Sequence, residues 1–371
     1  MLDLAISASF KQPASAVTRD KSRRYANRIL AQHLERNELW IADDRYHQIL
    51  AARQTLRSRL SQEIQLPLVS VEDWAATSFG SERRFHSNIS RCLAFGYEIS
   101  FGLRGLLTGN DASHAESAVL GAIFNLGIAR FDRVFDHLPG GASSMARLFN
   151  EDLLRRLYAG TDGQTDLAAL TGNTSNSEVR FLLGIISLFF FRLEKFSRVS
   201  RDSAPRQMLN ELLLRAYRAQ IACARVDSGH SNRNAALLAV EEKSCLPFSV
   251  LLQLIRVCDS NVRAEQDEFA DRVTHHVATA FWLIDDLVDL KDDFRNGHAN
   301  AILLHGADSP VTSVDLLSRG KIVESVADRI CASLNSARQA FQQAGVRSTS
   351  GHGFDEVLLC YARKWIEGGK G

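Results

Sequence analysis

Proline is scarce, with six residues in a chain of 371, at positions 13, 67, 139, 205, 247 and 310. Most stand at the edges of long segments with helical apolar spacing, and no β-rich stretch interrupts those segments. Cysteine is equally sparse. Its six residues (92, 223, 245, 258, 331 and 360) include no C-x-x-C pair. That argues against a structural zinc site or a disulfide scaffold and suits free thiols in a reducing, cytoplasmic setting. Net charge is almost absent, because 44 Lys and Arg oppose 43 Asp and Glu. Such a balance supplies no global field for nucleic acid or an anionic membrane. Long hydrophobic runs are missing too. The longest, Phe181 to Phe191 between Arg180 and Arg192, is far short of the ~18 residues of a membrane span. Met1-Leu2-Asp3 leads into no apolar segment of signal-peptide length, and the basic, Ser-containing stretch 11–28 bears only a faint likeness to a transit peptide.

What remains is ordinary globular material, 45% hydrophobic and 23% charged, and its periodicity is helical. The spacing predicts helices over roughly 20–36, 46–62, 86–107, 114–137, 143–159, 177–198, 205–227, 231–260, 263–292, 314–344 and 353–367. Short polar links such as Gly160-Thr161-Asp162-Gly163 and Gly172-Asn173-Thr174-Ser175-Asn176 join them. None reads as an interdomain linker, and no repeat of solenoid length recurs. The expectation is an all-α protein in which a helical amino-terminal extension, 1–84, precedes one large helical domain, 85–371. Leu182 to Phe191 is apolar on more than one face, which places it inside a helical array.

Two of these helices carry carboxylates at helical spacing. In Ile128-Ala129-Arg130-Phe131-Asp132-Arg133-Val134-Phe135-Asp136-His137, Asp132 and Asp136 stand at i and i+4 and share a face. In Phe281-Trp282-Leu283-Ile284-Asp285-Asp286-Leu287-Val288-Asp289-Leu290-Lys291-Asp292-Asp293, three aspartates (285, 289 and 293) line one stripe. Like charges at this spacing repel each other in an isolated helix, and Lys291 and Arg295 are too few to neutralise five aspartates. A cation is therefore expected there. Hard oxygen ligands suit Mg²⁺, which is commonly held by a few carboxylates together with substrate phosphates.

These segments resemble motifs of the trans-prenyltransferase and class I terpene synthase superfamily. Ala280-Phe281-Trp282-Leu283-Ile284-Asp285-Asp286-Leu287-Val288-Asp289 is similar to the second Asp-rich motif of isoprenyl diphosphate synthases, with Trp282 in place of the usual Gln. From Asp285 to Asp293 the same stretch keeps the spacing of the terpene-cyclase metal triad. Asp289, Asp293, Arg295 and Gly297 also resemble the second motif of squalene and phytoene synthases. Lys243, in Glu242-Lys243-Ser244-Cys245-Leu246-Pro247-Phe248, matches a lysine segment that contacts diphosphate in the synthases. Asp132 and Asp136 match the outer aspartates of the first motif, while Arg133 stands where its second aspartate normally falls. The match spans about 115 to 300.

The resemblance implies a single antiparallel bundle of the class I terpenoid synthase type with a central apolar cavity. It implies a trio of Mg²⁺ ions on Asp132, Asp136, Asp285, Asp289 and Asp293, with Lys243 and Arg295 on the diphosphate of a linear prenyl substrate. Phe124, Phe131, Phe190, Phe248 and Trp282 are the candidate aromatics for shielding a carbocation by cation–π contact. Tyr361 and Arg363 are candidates for closing the site, as Arg23-Arg24 would be from the amino terminus. The G-G-K-R-type and R-R segments of the chain-elongating enzymes are missing, and Gly102-Leu103-Arg104 is a poor substitute. That favours a terpene synthase (lyase) ionising a farnesyl, geranylgeranyl or longer diphosphate, then cyclising or eliminating. The alternatives are a trans-prenyltransferase, chain-elongating or head-to-head, and a catalytically silent helical partner of a synthase. No nucleic-acid partner or integral membrane segment is expected; a homodimer is left open.

Overall fold

Small residues decide how the two longest early helices meet. Helix α3 (Glu82–Thr108) and helix α4 (Glu116–His137) pack through Gly96, Ser100 and Gly121. A Cβ added at Gly96 would fall 2.5 Å from both the Cβ of Asn125 and the carbonyl oxygen of Gly121, and one at Gly121 would overlap the hydroxyl of Ser100. Only glycine permits this approach. The seam is then fastened by Asn125 Nδ2, which donates to the carbonyl of Cys92 at 2.8 Å, and by Arg130, which donates to Asn88 at 2.6 Å.

A computed structural model describes residues 16–64, 66, 82–109, 116–137, 149–160, 163–174, 176–227, 233–305 and 320–368. Within them the protein is all-α, as the spacing predicts, and the only extended pairing among the described residues is an isolated bridge between Arg347 and Gly353. The remaining helices are α1 (Ala16–Arg36), α2 (Asp43–Glu63), α5 (Glu151–Ala159), α6 (Gly163–Asn173), α7 (Ser177–Phe196), α8 (Ala204–Asp227), α9 (Arg233–Cys258), α10 (Asp267–Asn296), α11 (Ala301–His305), α12 (Gly320–Gln343) and α13 (Phe354–Gly368). The side chains of Arg23 and Arg24 lie outside the described residues.

Helices α3, α4, α9 and α10 form the centre, α9 packing on both α4 and α10. Helices α7 and α8 cover one side, while α12 and α13 cover α10 on the other. The amino-terminal helices pack on this body as well, α1 against α10 and α12, α2 against α3 and α13. One apolar core runs from Ala26 and Leu30 of α1 to Ile366 of α13. Each fully buried Leu or Ile contributes about 1.5–3 kcal/mol, which is why long apolar helices carry this bundle.

Helix ends follow local chemistry. Asn150 and Asn176 cap α5 and α7 by accepting from Leu153 and Val179 at 2.9 and 3.1 Å. Helix α10 stops at Gly297, which adopts φ 72° and so ends the helix where a side chain would be strained. Pro247 lies inside α9 and supplies no N–H to the carbonyl of Lys243 one turn earlier. Helix α6 is absent from the periodicity reading, because glycines at 163 and 172 make its ends look like links. No helix among the described residues is long and apolar enough to cross a membrane.

Candidate active site

Helix α10 positions the acidic stripe by burying almost everything around it. Phe281, Trp282, Leu283, Ile284, Leu287, Val288 and Leu290 are buried, whereas Asp285, Asp289 and Asp293 are half-buried along one edge. Asp285 Oδ1 accepts from the indole N–H of Trp365 on α13 at 3.2 Å. Asp293 Oδ2 accepts from Asn300 Nδ2 at 2.9 Å, and its Oδ1 lies 3.7 Å from His298. These neighbours hold both carboxylates in place.

Asp286 turns the other way. Its Oδ2 accepts from Trp282 Nε1 at 3.0 Å and from the backbone N–H of Ala301, the first residue of α11, at 2.9 Å. Burial pushes its carboxyl well above the usual range; the two hydrogen bonds act the other way, and Asp285 and Asp293 add to the rise. Asp286 is therefore a structural group that joins α10 to α11. Trp282 belongs to it, with the guanidinium of Arg329 5.6 Å from its ring centre. The indole faces Asp286 and α12, a direction that helical spacing alone does not reveal.

The first acidic segment meets the lysine segment. Lys243 Nζ on α9 lies 2.5 Å from Asp132 Oδ1 on α4, both about one-third exposed. Arg133, in place of an aspartate, points to Glu178 on α7 at 3.9 Å. The backbone of Asp136 belongs to the last turn of α4, and its side chain lies outside the described residues. Arg295 is at the exposed end of α10, 3.8 Å from Asp292.

The apolar space is walled by α4, α5, α7 and α8. A cavity of about 610 Å³, its open mouth included, is lined by Phe124, Phe131, Phe149, Phe189, Phe190 and Tyr217 among others. Three of the five expected aromatics thus line it, Phe124, Phe131 and Phe190; Phe248 and Trp282 do not. Phe248 instead belongs to an aromatic cluster with Phe95, Phe281, Tyr361 and Trp365 that fills the middle of the bundle between α3, α9, α10 and α13. Ile128, one turn before Asp132, also lines the cavity, so its wall runs directly into the Asp132–Lys243 pair.

The two carboxy-terminal candidates are engaged elsewhere. Tyr361 is buried and its hydroxyl donates to Glu98. Arg363 pairs with Asp43 at 2.6 Å and Glu367 at 2.8 Å and donates to the carbonyl of Ile41. The residue of α13 that reaches the acidic stripe is Trp365, which periodicity could not distinguish from a core aromatic. Arg104 is likewise consumed, pairing with Asp259 at 3.0 Å.

Among the described residues no three His, Cys, Asp or Glu side chains are placed together as a metal-holding group. Successive members of the stripe are one turn apart, ~6 Å along the axis, so they flank a ligand and do not converge on one point. An all-carboxylate donor set of this kind fits Mg²⁺ shared with a phosphate-bearing ligand, since that ion is usually held by one or two carboxylates, substrate oxygens and water.

No family model matches the chain, and no curated protein does. Among solved structures, it is similar to linalool/nerolidol synthase from Streptomyces clavuligerus. The identity is 17% over 82% of this chain and 98% of that one, with a TM-score of 0.43. The same synthase in complex with 2-fluorogeranyl diphosphate gives 18% identity, 77% and 94% coverage, and a TM-score of 0.43.

Proposed function

We propose that this protein is a Mg²⁺-dependent class I terpene synthase, which ionises a linear prenyl diphosphate and cyclises or eliminates to a terpene with release of diphosphate. The observation that carries the reading is the continuity of one helix face. Phe124, Ile128 and Phe131 of α4 wall an apolar cavity, and Asp132 with its partner Lys243 stands at the end of that wall. A substrate with a hydrocarbon tail and a diphosphate head matches this sequence of surfaces.

Mg²⁺ carried by Asp285, Asp289 and Asp293, with Asp132 and Asp136, would neutralise the charge that grows on the leaving diphosphate. Lys243 adds a charge-assisted hydrogen bond to the same oxygens once it turns from Asp132. The apolar wall excludes water from the cation left behind. Phe124, Phe131 and Phe190 line the cavity, and a ring face turned to the cation would be worth about 0.5–2 kcal/mol of cation–π attraction. Trp365 acts at one remove, by fixing the orientation of Asp285.

The test is product analysis by gas chromatography–mass spectrometry after incubation with geranyl, farnesyl and geranylgeranyl diphosphates, each with and without isopentenyl diphosphate. A hydrocarbon or alcohol formed from one substrate alone is the expected result. Longer diphosphates formed only when isopentenyl diphosphate is present would replace this reading with chain elongation.

A further inference from the structure

Helices α2, α3 and α13 bring four cations together beside the aromatic cluster. Arg53 and Arg57 stand one turn apart on α2, Arg91 lies on α3 and Lys364 on α13. The innermost is satisfied. Arg53 is buried, its Nε 2.9 Å from Glu98 and its guanidinium carbon 3.5 Å from the ring centre of Tyr361. Glu98 also accepts from the Tyr361 hydroxyl, so its charge is spent there.

The other three have no such counterpart. Among the described residues, Arg57, Arg91 and Lys364 make no ion pair; Arg91 Nε donates only to the carbonyl of Ser87 at 3.1 Å. Arg53 Nη1 and Arg57 Nε are buried with no hydrogen-bond partner, although buried polar atoms are normally paired. The cations also act on one another. Lys364 is pushed down to about 8, first by burial and then by Arg57, Arg53 and Arg91. Arg57 is lowered by burial and by the same neighbours Arg53 and Arg91. All three side chains are half-buried and reachable from solvent.

Uncompensated positive charge with unused, buried donors is a place for a compact polyanion. A carboxylate would answer only one of three cations, whereas a diphosphate presents several charged oxygens to the planar donors of two arginines. We propose that Arg57, Arg91 and Lys364 form a diphosphate-binding site separate from Lys243. It needs no carboxylate and no metal, and it does not rest on the terpene synthase reading. On α13 Lys364 immediately precedes Trp365, the residue that holds Asp285.

The test is calorimetric titration of inorganic diphosphate into the full chain in the presence of EDTA, which removes any metal-dependent site. Saturable binding is expected, weakened at least tenfold by Arg57→Gln and by Lys364→Gln and unchanged within twofold by Arg272→Gln, a control on the exposed face of α10. Circular dichroism melts accompany each titration, and both cluster variants are expected to melt no lower than wild type because like charges are removed. Should either fail to fold, Arg57→Lys and Lys364→Arg take its place, with binding retained within threefold. Displacement of inorganic diphosphate by geranyl thiodiphosphate assigns the site to a prenylated ligand; no displacement assigns it to the free ion. Three results overturn the proposal: no binding in EDTA, equal binding of sulfate, or binding lost in Lys243→Gln and kept in the cluster variants.

Discussion

Replacing Trp282 by Phe separates structural support from substrate contact on α10. The indole N–H is one of two donors to Asp286 Oδ2, at 3.0 Å, and the other, the N–H of Ala301, remains at 2.9 Å. A neutral hydrogen bond contributes about 1 kcal/mol and one to a full charge up to about 3. Burial raises the Asp286 carboxyl, which weights the value toward the lower half of that range. Adding about 1 kcal/mol for the smaller ring in a closed core gives an expected loss of about 2–3 kcal/mol. Urea denaturation of wild type, Trp282→Phe, Asp286→Ala and the double variant isolates the hydrogen bond, and its coupling energy is expected at about 1–2 kcal/mol. A coupling below about 0.5 kcal/mol would refute the assignment of Trp282 to Asp286. Because the indole does not line the cavity, the product distribution of the Phe variant is expected to match wild type. A shifted product profile with undiminished stability would return Trp282 to the substrate.

Gly121→Ala is expected to destabilise by about 1–3 kcal/mol through overlap with Ser100, and Ser100→Gly should recover part of the loss in urea midpoints. Lys364→Gln should raise stability at pH 7 by about 1 kcal/mol, a value reduced for solvent screening of a half-exposed group. The sign follows from a folded-state pKa below the unfolded one: the cost of the charge is complete below about 8 and fades as pH rises toward the ordinary lysine value. Urea midpoints at pH 7 and 9.5 check it, and a gap that does not narrow contradicts the charge cluster. Lys243→Ala should reduce turnover of a prenyl diphosphate about 10²–10³-fold in steady-state assays, the scale for removing one electrostatic stabiliser.

Much of the architecture was legible because helical periodicity is a local signal. The expected helix 263–292 is α10, which begins at Asp267 and runs on to its stop at Gly297, and 177–198 is α7, capped by Asn176. The expectation for 143–159 starts too early, since Asn150 caps α5 and only Glu151–Ala159 is helical among the described residues of that stretch. Pro247 did not mislead, since flanking apolar residues on both sides keep α9 continuous. Helix α6 escaped because its terminal glycines are indistinguishable from loop residues without the packing of Leu167 in the core. The acidic stripe could be placed on one edge of α10 from spacing alone. Its partners could not: Trp365 is 80 residues from Asp285, and the pairing of Lys243 with Asp132 joins helices far apart in sequence. Direction was equally hidden for Tyr361 and Arg363, whose partners Glu98 and Asp43 lie on α3 and α2. The four-cation cluster leaves no trace as a motif, since three helices contribute to it.

The most direct test of the terpene synthase reading is Mg²⁺-dependent release of diphosphate from farnesyl and geranylgeranyl diphosphates, by wild type and by Asp289→Ala. Asp289 lies on the half-buried acidic stripe, among like charges, so its removal is expected to leave the melting temperature within a few degrees of wild type. The expected result is release by wild type that EDTA abolishes, with Asp289→Ala folded and at least a hundredfold slower. Release at a wild-type rate from the folded variant, or no release from any prenyl diphosphate by wild type with saturating Mg²⁺, would contradict the assignment of the stripe to catalysis.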